Sequence, residues 1–366
     1  MSQPLLRIGL VGPLPPPYGG MANQTRQLAR LLQQEGIQVE LVQVNAPYQP
    51  VWAGKIKGFR AVFRLVPYLA CLWQTAGRVQ LFHIMANSGW AWHLFAAPAI
   101  WIAQFRKTPV IVNYRGGEAE AFFQKSFFWV KRSLDRTDAI IVPSGFLEAI
   151  FRQRGYASKI IPNIIDLNRF NAKPVEDKAN QSDAPHIVVT RHLEAIYDNA
   201  TAIRAFHIVK KIFPGARLTV AGAGPERQML ENMVAELDLQ DAVKFTGRID
   251  NDAIAALYQC ADMMINASLV DNMPISILEA LASGVPVVSS DAGGIPYLVE
   301  HGKTALLVPQ KDAAAMAEAM LQILQSSERA DSLRKNGIAS LEQYTWHSVK
   351  HHLFSVYHQV LEHNQR

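Results

Sequence analysis

Apolar runs of strand length alternate with amphipathic segments of helix length along almost the whole chain. This alternation predicts parallel β-sheets covered by helices on both faces. The first half contains five such runs: Leu5–Gly12, Gln38–Val44, Val79–Ala86, Pro109–Tyr114 and Asp138–Pro143. After a polar stretch there are six more: His186–Thr190, Arg217–Ala221, Val243–Thr246, Asp262–Asn266, Val285–Ser289 and Ala305–Val308. The pattern therefore predicts two doubly wound, Rossmann-like α/β units.

The chain length and one polar segment predict where the domains divide. A chain of 366 residues is too long for one ordinary core and suits two. Residues 173–185 have the composition of a linker, so we expect domains at 1–170 and 171–345. A last helix at 346–366 has one apolar stripe and is expected to pack on the N-terminal domain. Because ligands of open parallel sheets bind at the carboxyl ends of strands, a cleft between the two domains is the expected site.

Composition excludes several classes of protein. The two cysteines, Cys71 and Cys260, form no metal-binding pattern, so we expect a reduced, cytoplasmic compartment and no bound metal. A formal charge of +5 is too mild to predict nucleic-acid binding. The first residues lack the features of a signal peptide. The apolar stretch Trp90–Phe105 is shorter than a membrane span requires and is expected to form a buried helix.

The strongest motif begins after the strand that ends at Asn266. Asp271 is expected in a loop at that strand's carboxyl end, and Pro274 suits the first position of the helix that follows. Backbone amides around Asn272, Met273 and Ile275 would then face an anion such as a phosphate.

Glu279 lies inside the same predicted helix, among apolar neighbours. A carboxylate there is costly unless it accepts hydrogen bonds, which sugar hydroxyls would supply. The alternative is an ordinary helix with Glu279 on its solvent-exposed side.

This segment resembles the C-terminal signature of retaining GT-B glycosyltransferases, a large family (family four) that includes sucrose-synthase-like and bacterial polysaccharide enzymes. The signature has two acidic residues with seven residues between them, then Gly-x-Pro-Val-Val and a Gly-Gly turn. Here these are Asp271 and Glu279, Gly284 to Val288, and Gly293-Gly294. The family usually has glutamate at the first acidic place, and the Asp-Asn-Met-Pro form resembles a subgroup of bacterial surface-polysaccharide transferases. The resemblance covers nearly the whole chain and implies a GT-B fold.

Three further loops match positions that bind the donor in that family. Gly20 follows the first strand and opens the first helix, where a Gly-Gly turn lets amides approach a phosphate or sugar; a plain tight turn is the alternative. Gly222 lies in a Gly-x-Gly loop that borders the nucleotide in the family. Position 227 is arginine, not the third glycine of a dinucleotide fingerprint, which argues against an NAD site. The loop with Arg248 and Ile249 receives the base in the family.

Arg191 follows the first strand of the second unit, where a guanidinium could clamp a diphosphate. A surface salt bridge is the alternative. The family usually has a lysine six residues later, and here that residue is Tyr197. Either Tyr197 donates a neutral hydrogen bond or the site binds the diphosphate more weakly.

In the first domain, the family often has a histidine after the strand that ends here at Tyr114. This chain has Arg115 instead, which is expected to contact the donor sugar or an acidic acceptor. His83 is either a cleft residue or a satisfied core residue. Asn163 matches the family's crossover between the domains and is expected to fix that loop.

A stretch from Trp52 to Trp73 mixes basic and aromatic residues. It could lie on an anionic membrane surface, or it could be an ordinary helix that packs on the sheet.

Taken together, these features predict a retaining, metal-independent glycosyltransferase without a cofactor. It would move a sugar (a hexose) from a nucleotide-diphosphate sugar to a saccharide or lipid-linked acceptor. We expect Asp271, Arg191 and Arg115 in catalytic roles. The alternatives are a non-catalytic sugar-nucleotide-binding partner and a GT-B-like epimerase or phosphorylase.

Overall fold

The computed structural model describes residues 6–16, 19–48, 60–172 and 184–364. The chain divides into two compact units: unit 1 comprises Met1–Asn163 and Val349–Arg366, and unit 2 comprises Ile164–Ser348. Most of the predicted linker, residues 173–183, lies outside the described residues.

Unit 1 contains a six-stranded parallel sheet in the order β2-β1-β3-β4-β5-β6. Its strands are β1 Arg7–Gly12, β2 Gln38–Gln43, β3 Leu81–Ala86, β4 Val110–Tyr114, β5 Ala139–Val142 and β6 Lys159–Ile160. The helices between them are α1 Gly20–Gln34, α2 Arg60–Ala76, α3 Ala97–Phe105, α4 Ala119–Leu134 and α5 Gly145–Gln153. Strands β3 and β4 are buried along their whole length, as central parallel strands are when helices cover both faces. The sequence did not predict β6, which is two exposed residues long at the sheet edge.

The expectation of one buried helix from Trp90 to Phe105 is wrong in part. A π-helical turn, Trp92–Ala96, leads into α3. The turn and α3 are each buried on one side only. Trp92 is fully buried, whereas Trp101 and Phe105 are 44% and 75% exposed. Because the segment is apolar all round, its sequence has no periodicity from which the exposed side could be predicted.

Unit 2 contains a second six-stranded parallel sheet, in the order β12-β11-β10-β7-β8-β9. Its strands are β7 His186–Val189, β8 Arg217–Val220, β9 Val243–Phe245, β10 Met263–Asn266, β11 Val287–Ser290 and β12 Leu306–Val308. Its helices are α6 Asn199–Ile212, α7 Arg227–Glu236, α8 Asn251–Gln259, α9 Ile275–Ala282, α10 Ala313–Leu324 and α11 Ser327–Ala339. Strands β7 and β10 are neighbours, so the loops at their carboxyl ends meet at one edge of the sheet.

The last helix, α12, runs from Trp346 to Asn364. Its residues from Val349 onwards group with unit 1, and the apolar stripe noted in the sequence is buried. The Lys350 ammonium lies 2.9 Å from the Glu35 carboxylate at the end of α1. The Asn364 amide donates to Asp138 at 2.9 Å. The helix is therefore fixed to unit 1 by apolar burial along its length and by polar contacts at both ends.

Candidate functional site

Arg191 and Asp271 meet where β7 and β10 end. The guanidinium Nη2 forms an ion pair with Asp271 Oδ2, and Nη1 donates to Ser276 Oγ at 3.3 Å. Their side chains are only 12% and 11% exposed, so little water screens the pair. The sequence predicted both residues for one site but did not predict that they pair.

Two groups besides Arg191 hold the Asp271 carboxylate. The Asn272 backbone N–H donates to Oδ1 at 2.9 Å, and Ser268 Oγ lies 3.4 Å from Oδ2. Burial raises the pKa of Asp271 above its usual value, although Arg191, the Asn272 amide and Ser268 each act to lower it. Of these three groups, Arg191 favours the charged carboxylate most strongly.

Tyr197 lies in a 3-10 turn, Ala195–Tyr197, beside Arg191. Its ring face is 4.1 Å from the guanidinium carbon, which is cation–π geometry. Tyr197 therefore orients Arg191 rather than supplying the second positive charge that a lysine would. Arg191 Nε is buried and has no hydrogen-bond partner in the described part of the chain, so one donor of the guanidinium is unused.

Glu279 lies in α9, one turn from the helix start, and is half-buried. Burial raises its pKa to about 8, against the lowering effect of the Arg191 and Arg169 charges. At neutral pH most Glu279 carboxyls are therefore protonated. A protonated carboxyl both donates and accepts hydrogen bonds, which suits a sugar hydroxyl.

This pKa shift should make stability depend on pH. An unfolded glutamate loses its proton near pH 4.5, whereas the folded Glu279 keeps it until about pH 8. Stability should therefore fall as pH rises between these values, because the folded state binds more protons. We expect the wild type to lose on the order of 3 kcal/mol more than Glu279→Gln between pH 5 and pH 8. Urea unfolding of both proteins at the two pH values measures this, and parallel losses would contradict the assignment.

Two polar residues that the sequence analysis missed support the same site. Tyr258, in α8, is fully buried, and its hydroxyl donates to the Ser276 carbonyl at 3.0 Å. The same hydroxyl lies 2.6 Å from Thr190 Oγ1, next to Arg191. Ser276 is thus fixed by Tyr258 and in turn bonds Arg191. Ser276 could have been noticed from its place in the first turn of α9, but nothing around Tyr258 in the sequence indicates a role.

Glycines allow the site loops to approach one another. A Cβ on Gly222 would lie 2.0 Å from the Arg191 carbonyl oxygen, and one on Gly224 would lie 2.2 Å from that of Leu193. No side chain fits at such distances, so the Gly222 loop must pack its backbone directly on the Arg191 loop. The Leu193 N–H donates to the Ala223 carbonyl at 3.2 Å across this contact.

The Gly293-Gly294 turn fixes the Asp271 loop in the same way. A Cβ on Gly294 would be 1.8 Å from the Asn272 carbonyl oxygen, and one on Gly293 would be 2.2 Å from that of Asp271. The Gly294 N–H donates to the Asp271 carbonyl at 2.9 Å. The Gly-Gly turn therefore holds the first acidic residue in place.

Arg115 lies at the carboxyl end of β4 in unit 1 and is partly buried. Its Nε donates to Asn113 Oδ1 at 3.1 Å, and its Nη1 bonds Asn163 Oδ1. Burial lowers the pKa of Arg115 to about 10, so it stays charged at neutral pH. His83 is fully buried and hydrogen-bonded, which makes it a satisfied core residue. Asn163 fixes its loop by bonding Arg115.

Two family models match the chain. The model described as "Glycosyltransferase Family 4" matches residues 18–169, and the model described as "Glycosyl transferases group 1" matches residues 173–340. The two models together span residues 18–340, and both describe glycosyltransferases. The similar solved structures have the same fold. Sucrose-phosphate synthase from Thermosynechococcus elongatus gives a TM-score of 0.77 at 22% identity over 98% of this chain and 99% of that one. Anabaena HepE in complex with UDP and glucose gives 0.75 at 20% identity, over 96% and 99%. The predicted GT-B fold is confirmed.

Curated relatives match at the level of sequence. A GDP-mannose-dependent alpha-(1-6)-phosphatidylinositol monomannoside mannosyltransferase of Mycobacterium tuberculosis is 27% identical over 57% of this chain and 58% of its own length. An N-acetyl-alpha-D-glucosaminyl L-malate synthase of Bacillus anthracis is 30% identical over 48% of this chain and 45% of its own. The match thus spans about half the length of these relatives.

In this GT-B chain, α9 begins one residue later than predicted. Pro274 precedes the helix with an extended backbone (φ −64°, ψ 115°), so it is the N-cap and not the first helical residue. Asn272 and Met273 are buried in the turn before it, and Ile275 is the first helical residue. The backbone N–H groups of Ile275 and Ser276 lie in the first turn of this helix, where no intrahelical acceptor is available to them.

The remaining predicted binding residues follow the next strands of the unit 2 sheet or lie in unit 1. Gly222 and Arg248 follow β8 and β9, the two strands beyond β7, so Arg248 stands at the sheet edge. Arg248 is exposed and Ile249 is half-buried. In unit 1, Gly20 is the first residue of α1, and a Cβ there would meet nothing within 4 Å. The structure therefore places four loops in a row along the unit 2 sheet, and Gly20 at an open helix start in unit 1.

Proposed function

We propose that this chain is a retaining glycosyltransferase that moves a hexosyl group from a nucleotide-diphosphate sugar to an acceptor hydroxyl. The observation that carries the proposal is the Arg191–Asp271 pair at the ends of β7 and β10, with an unused guanidinium donor and Glu279 nearby. Unit 2 would bind the nucleotide and unit 1 the acceptor, in surface polysaccharide or glycolipid synthesis. The named mannosyltransferase relative and the UDP-bound neighbour support this class of donor.

Each site residue has a proposed part in binding the donor. The Arg191 guanidinium and the amides at the start of α9 would hold the diphosphate, since a guanidinium and a helix start both favour phosphate oxygens. Glu279 would bond the ribose hydroxyls. Arg248 and Ile249 would contact the base, and Gly20 would offer its backbone to a phosphate or sugar. Asp271 would contact the transferred sugar.

The reaction would exchange one glycosidic bond for another. The acceptor hydroxyl would attack the anomeric carbon on the face from which the phosphate leaves, and the departing phosphate oxygen would take the hydroxyl proton. The carbon–oxygen bond to phosphate breaks as the bond to the acceptor forms. Negative charge develops on the leaving diphosphate, where Arg191 and the α9 amides would stabilise it. We propose that no divalent metal is needed, because these groups supply the positive potential.

A donor screen followed by a transfer assay tests this function. A nucleotide-diphosphate sugar at about a hundred times its dissociation constant should stabilise the protein by about 2.7 kcal/mol, visible as a raised Tm. The stabilising donor should then be consumed by the purified protein in the presence of a chelator. Binding without turnover would favour the non-catalytic alternative, and activity restored only by magnesium or manganese would overturn metal independence.

We also propose that unit 1 contacts membranes through a surface formed by α2, α3 and α4. No helix among the described residues is both long and apolar enough to cross a bilayer. The predicted stretch from Trp52 lies outside the described residues as far as residue 59, but the exposed aromatic surface extends beyond it. The arginine–aromatic surface comprises Trp73, Trp101, Phe105, Phe128 and Trp129, with Arg106, Arg132 and Arg136.

The arginines of this surface stack on its exposed rings. The Arg136 guanidinium carbon is 3.8 Å from the Trp101 ring centre, and that of Arg132 is 4.2 Å from Phe128. The Trp73 and Phe105 rings, 5.4 Å apart, join α2 to α3. Trp101 Nε1 donates to Ser133 Oγ at 3.1 Å and so joins α3 to α4. Aromatic rings beside cationic groups suit the interface of an anionic bilayer.

We expect the protein to float with anionic liposomes at low salt and to be released at high salt, because salt screens surface attraction. Arg132→Glu with Arg136→Glu should abolish flotation. The matched control is Arg329→Glu with Lys335→Glu on α11 of unit 2, which changes the net charge equally at exposed positions. If the control lost flotation as fully as the test variant, net charge and not this surface would be responsible.

A further inference from the structure

Four polar side chains form a continuous hydrogen-bonded chain through the core of unit 1. Tyr357 Oη lies 2.7 Å from His83 Nδ1, and His83 Nε2 lies 3.0 Å from Asn113 Nδ2. Asn113 Oδ1 then lies 3.1 Å from Arg115 Nε. Tyr357, His83 and Asn113 are each at most 1% exposed. Polar groups buried to this degree are costly unless every partner is in place, so the chain has little freedom to rearrange.

Arg115 fixes the direction of donation along the whole chain. A guanidinium only donates, so the atom of Asn113 that faces it must be the amide oxygen. The Asn113 NH₂ group then faces His83 and donates to Nε2. Burial and the Arg115 charge lower the pKa of His83 to about 3, so the ring is neutral and has one proton. That proton must lie on Nδ1, from which it is donated to the Tyr357 hydroxyl.

The guanidinium is held at a second edge as well. Asn163 Oδ1 accepts from Arg115 Nη1, and the Arg115 backbone N–H donates to the Ala86 carbonyl at 2.9 Å. Arg115 thus donates hydrogen bonds to two side-chain amide oxygens. That of Asn113 lies at the end of β4, and that of Asn163 lies in the segment after β6. Because these hydrogen bonds restrict rotation of the Arg115 side chain before any ligand binds, the guanidinium is pre-organised for binding.

We propose that Tyr357, His83 and Asn113 are positioning residues that hold the Arg115 guanidinium in one orientation for its part in the transfer. This inference rests on the proposed function and on the expectation from the sequence that Arg115 contacts the donor sugar or an acidic acceptor. It gives α12 a role beyond packing, because the hydroxyl that ends the hydrogen-bond chain comes from this last helix.

The tautomer of His83 gives a test that does not depend on activity. Long-range proton–nitrogen NMR spectra of protein labelled with ¹⁵N-histidine distinguish a protonated Nδ1 from a protonated Nε2. The signal of His83 is assigned as the one that is missing from the spectrum of His83→Gln. We expect Nδ1–H in the wild type throughout the neutral pH range. Arg115→Met should release the Asn113 amide and let the Nε2–H form appear. A wild-type ring protonated on Nε2, or a tautomer unaffected by Arg115→Met, would overturn the inference.

The effect on Arg115 is tested by kinetics of Tyr357→Phe. Loss of this hydroxyl should lower kcat by about two- to tenfold while the donor KM stays unchanged. Tyr68→Phe is the matched control. Tyr68 is also buried in unit 1, and its hydroxyl donates to the Phe95 carbonyl at 2.8 Å, so it takes no part in the hydrogen bonds that lead to Arg115. It should lose stability but not kcat.

Equal kcat in all three proteins, or equal losses in the two variants, would overturn the positioning role. Absence of transfer by the wild type would instead overturn the proposed function, and the tautomer measurement would still test the hydrogen-bond chain.

Discussion

Glu279→Ala should raise the KM for the donor about ten- to a hundredfold and leave kcat comparatively intact. The proposed contact of Glu279 is with the ribose, a part of the donor that does not react. Such contacts are nearly equal in the ground and transition states, and their loss changes KM and not kcat. The size follows from hydrogen bonds to two ribose hydroxyls, each worth about 0.5–1.5 kcal/mol between neutral groups. Steady-state kinetics with one defined donor measure both constants.

Two variants make the Glu279 result interpretable. Glu279→Gln should behave far more like the wild type, because a carboxyl with a pKa of about 8 is mostly protonated at neutral pH and glutamine keeps its shape and hydrogen bonding. Glu318→Ala removes an exposed glutamate from α10 of the same unit and should change neither constant. An unchanged donor affinity in Glu279→Ala would show that the nucleotide lies elsewhere.

The layout of the fold could be predicted because the sequence signal is local. Each strand is a short apolar run, and each helix between strands has its own periodicity. The errors lie where that signal is absent: β6 has two exposed residues, and the segment from Trp90 to Phe105 is apolar on every side. Where a side of a helix is covered only by tertiary packing, the sequence of that helix does not show which side it is.

The contacts of the site could not be predicted, since they join residues far apart in the chain. Arg191 and Asp271 are 80 positions apart and meet because β7 and β10 are neighbours. His83 and Tyr357 are 274 positions apart. Sequence patterns placed Arg191 and Asp271 at strand ends, but strand order decides which strand ends are adjacent. Gly222 was predicted to border a nucleotide, and the close approach of the Arg191 backbone is a separate reason for glycine there.

The second large effect concerns Asp271. Asp271→Ala should lower kcat by about ten- to a hundredfold without raising the donor KM. Its proposed contact is with the transferred sugar, where bonding changes as the bond to phosphate breaks, so its loss falls on the transition state. The ion pair adds a second reason. In the free protein Asp271 occupies Arg191 Nη2, and its removal leaves the guanidinium freer to bind the ground-state diphosphate but less well oriented.

Further variants separate the two effects of losing Asp271. Asp271→Asn keeps the size of the side chain and its acceptor oxygen but loses the charge. If the ion pair orients the Arg191 guanidinium, kcat should therefore still fall in this variant. Asp271→Glu introduces the residue that similar transferases usually have, and appreciable activity would support the match to their signature. Asp331→Ala, which removes the partner of Arg334 on α11, is the control for loss of an ion pair elsewhere in unit 2. A raised donor KM with normal kcat in Asp271→Ala would place Asp271 with the nucleotide and not with the reacting sugar.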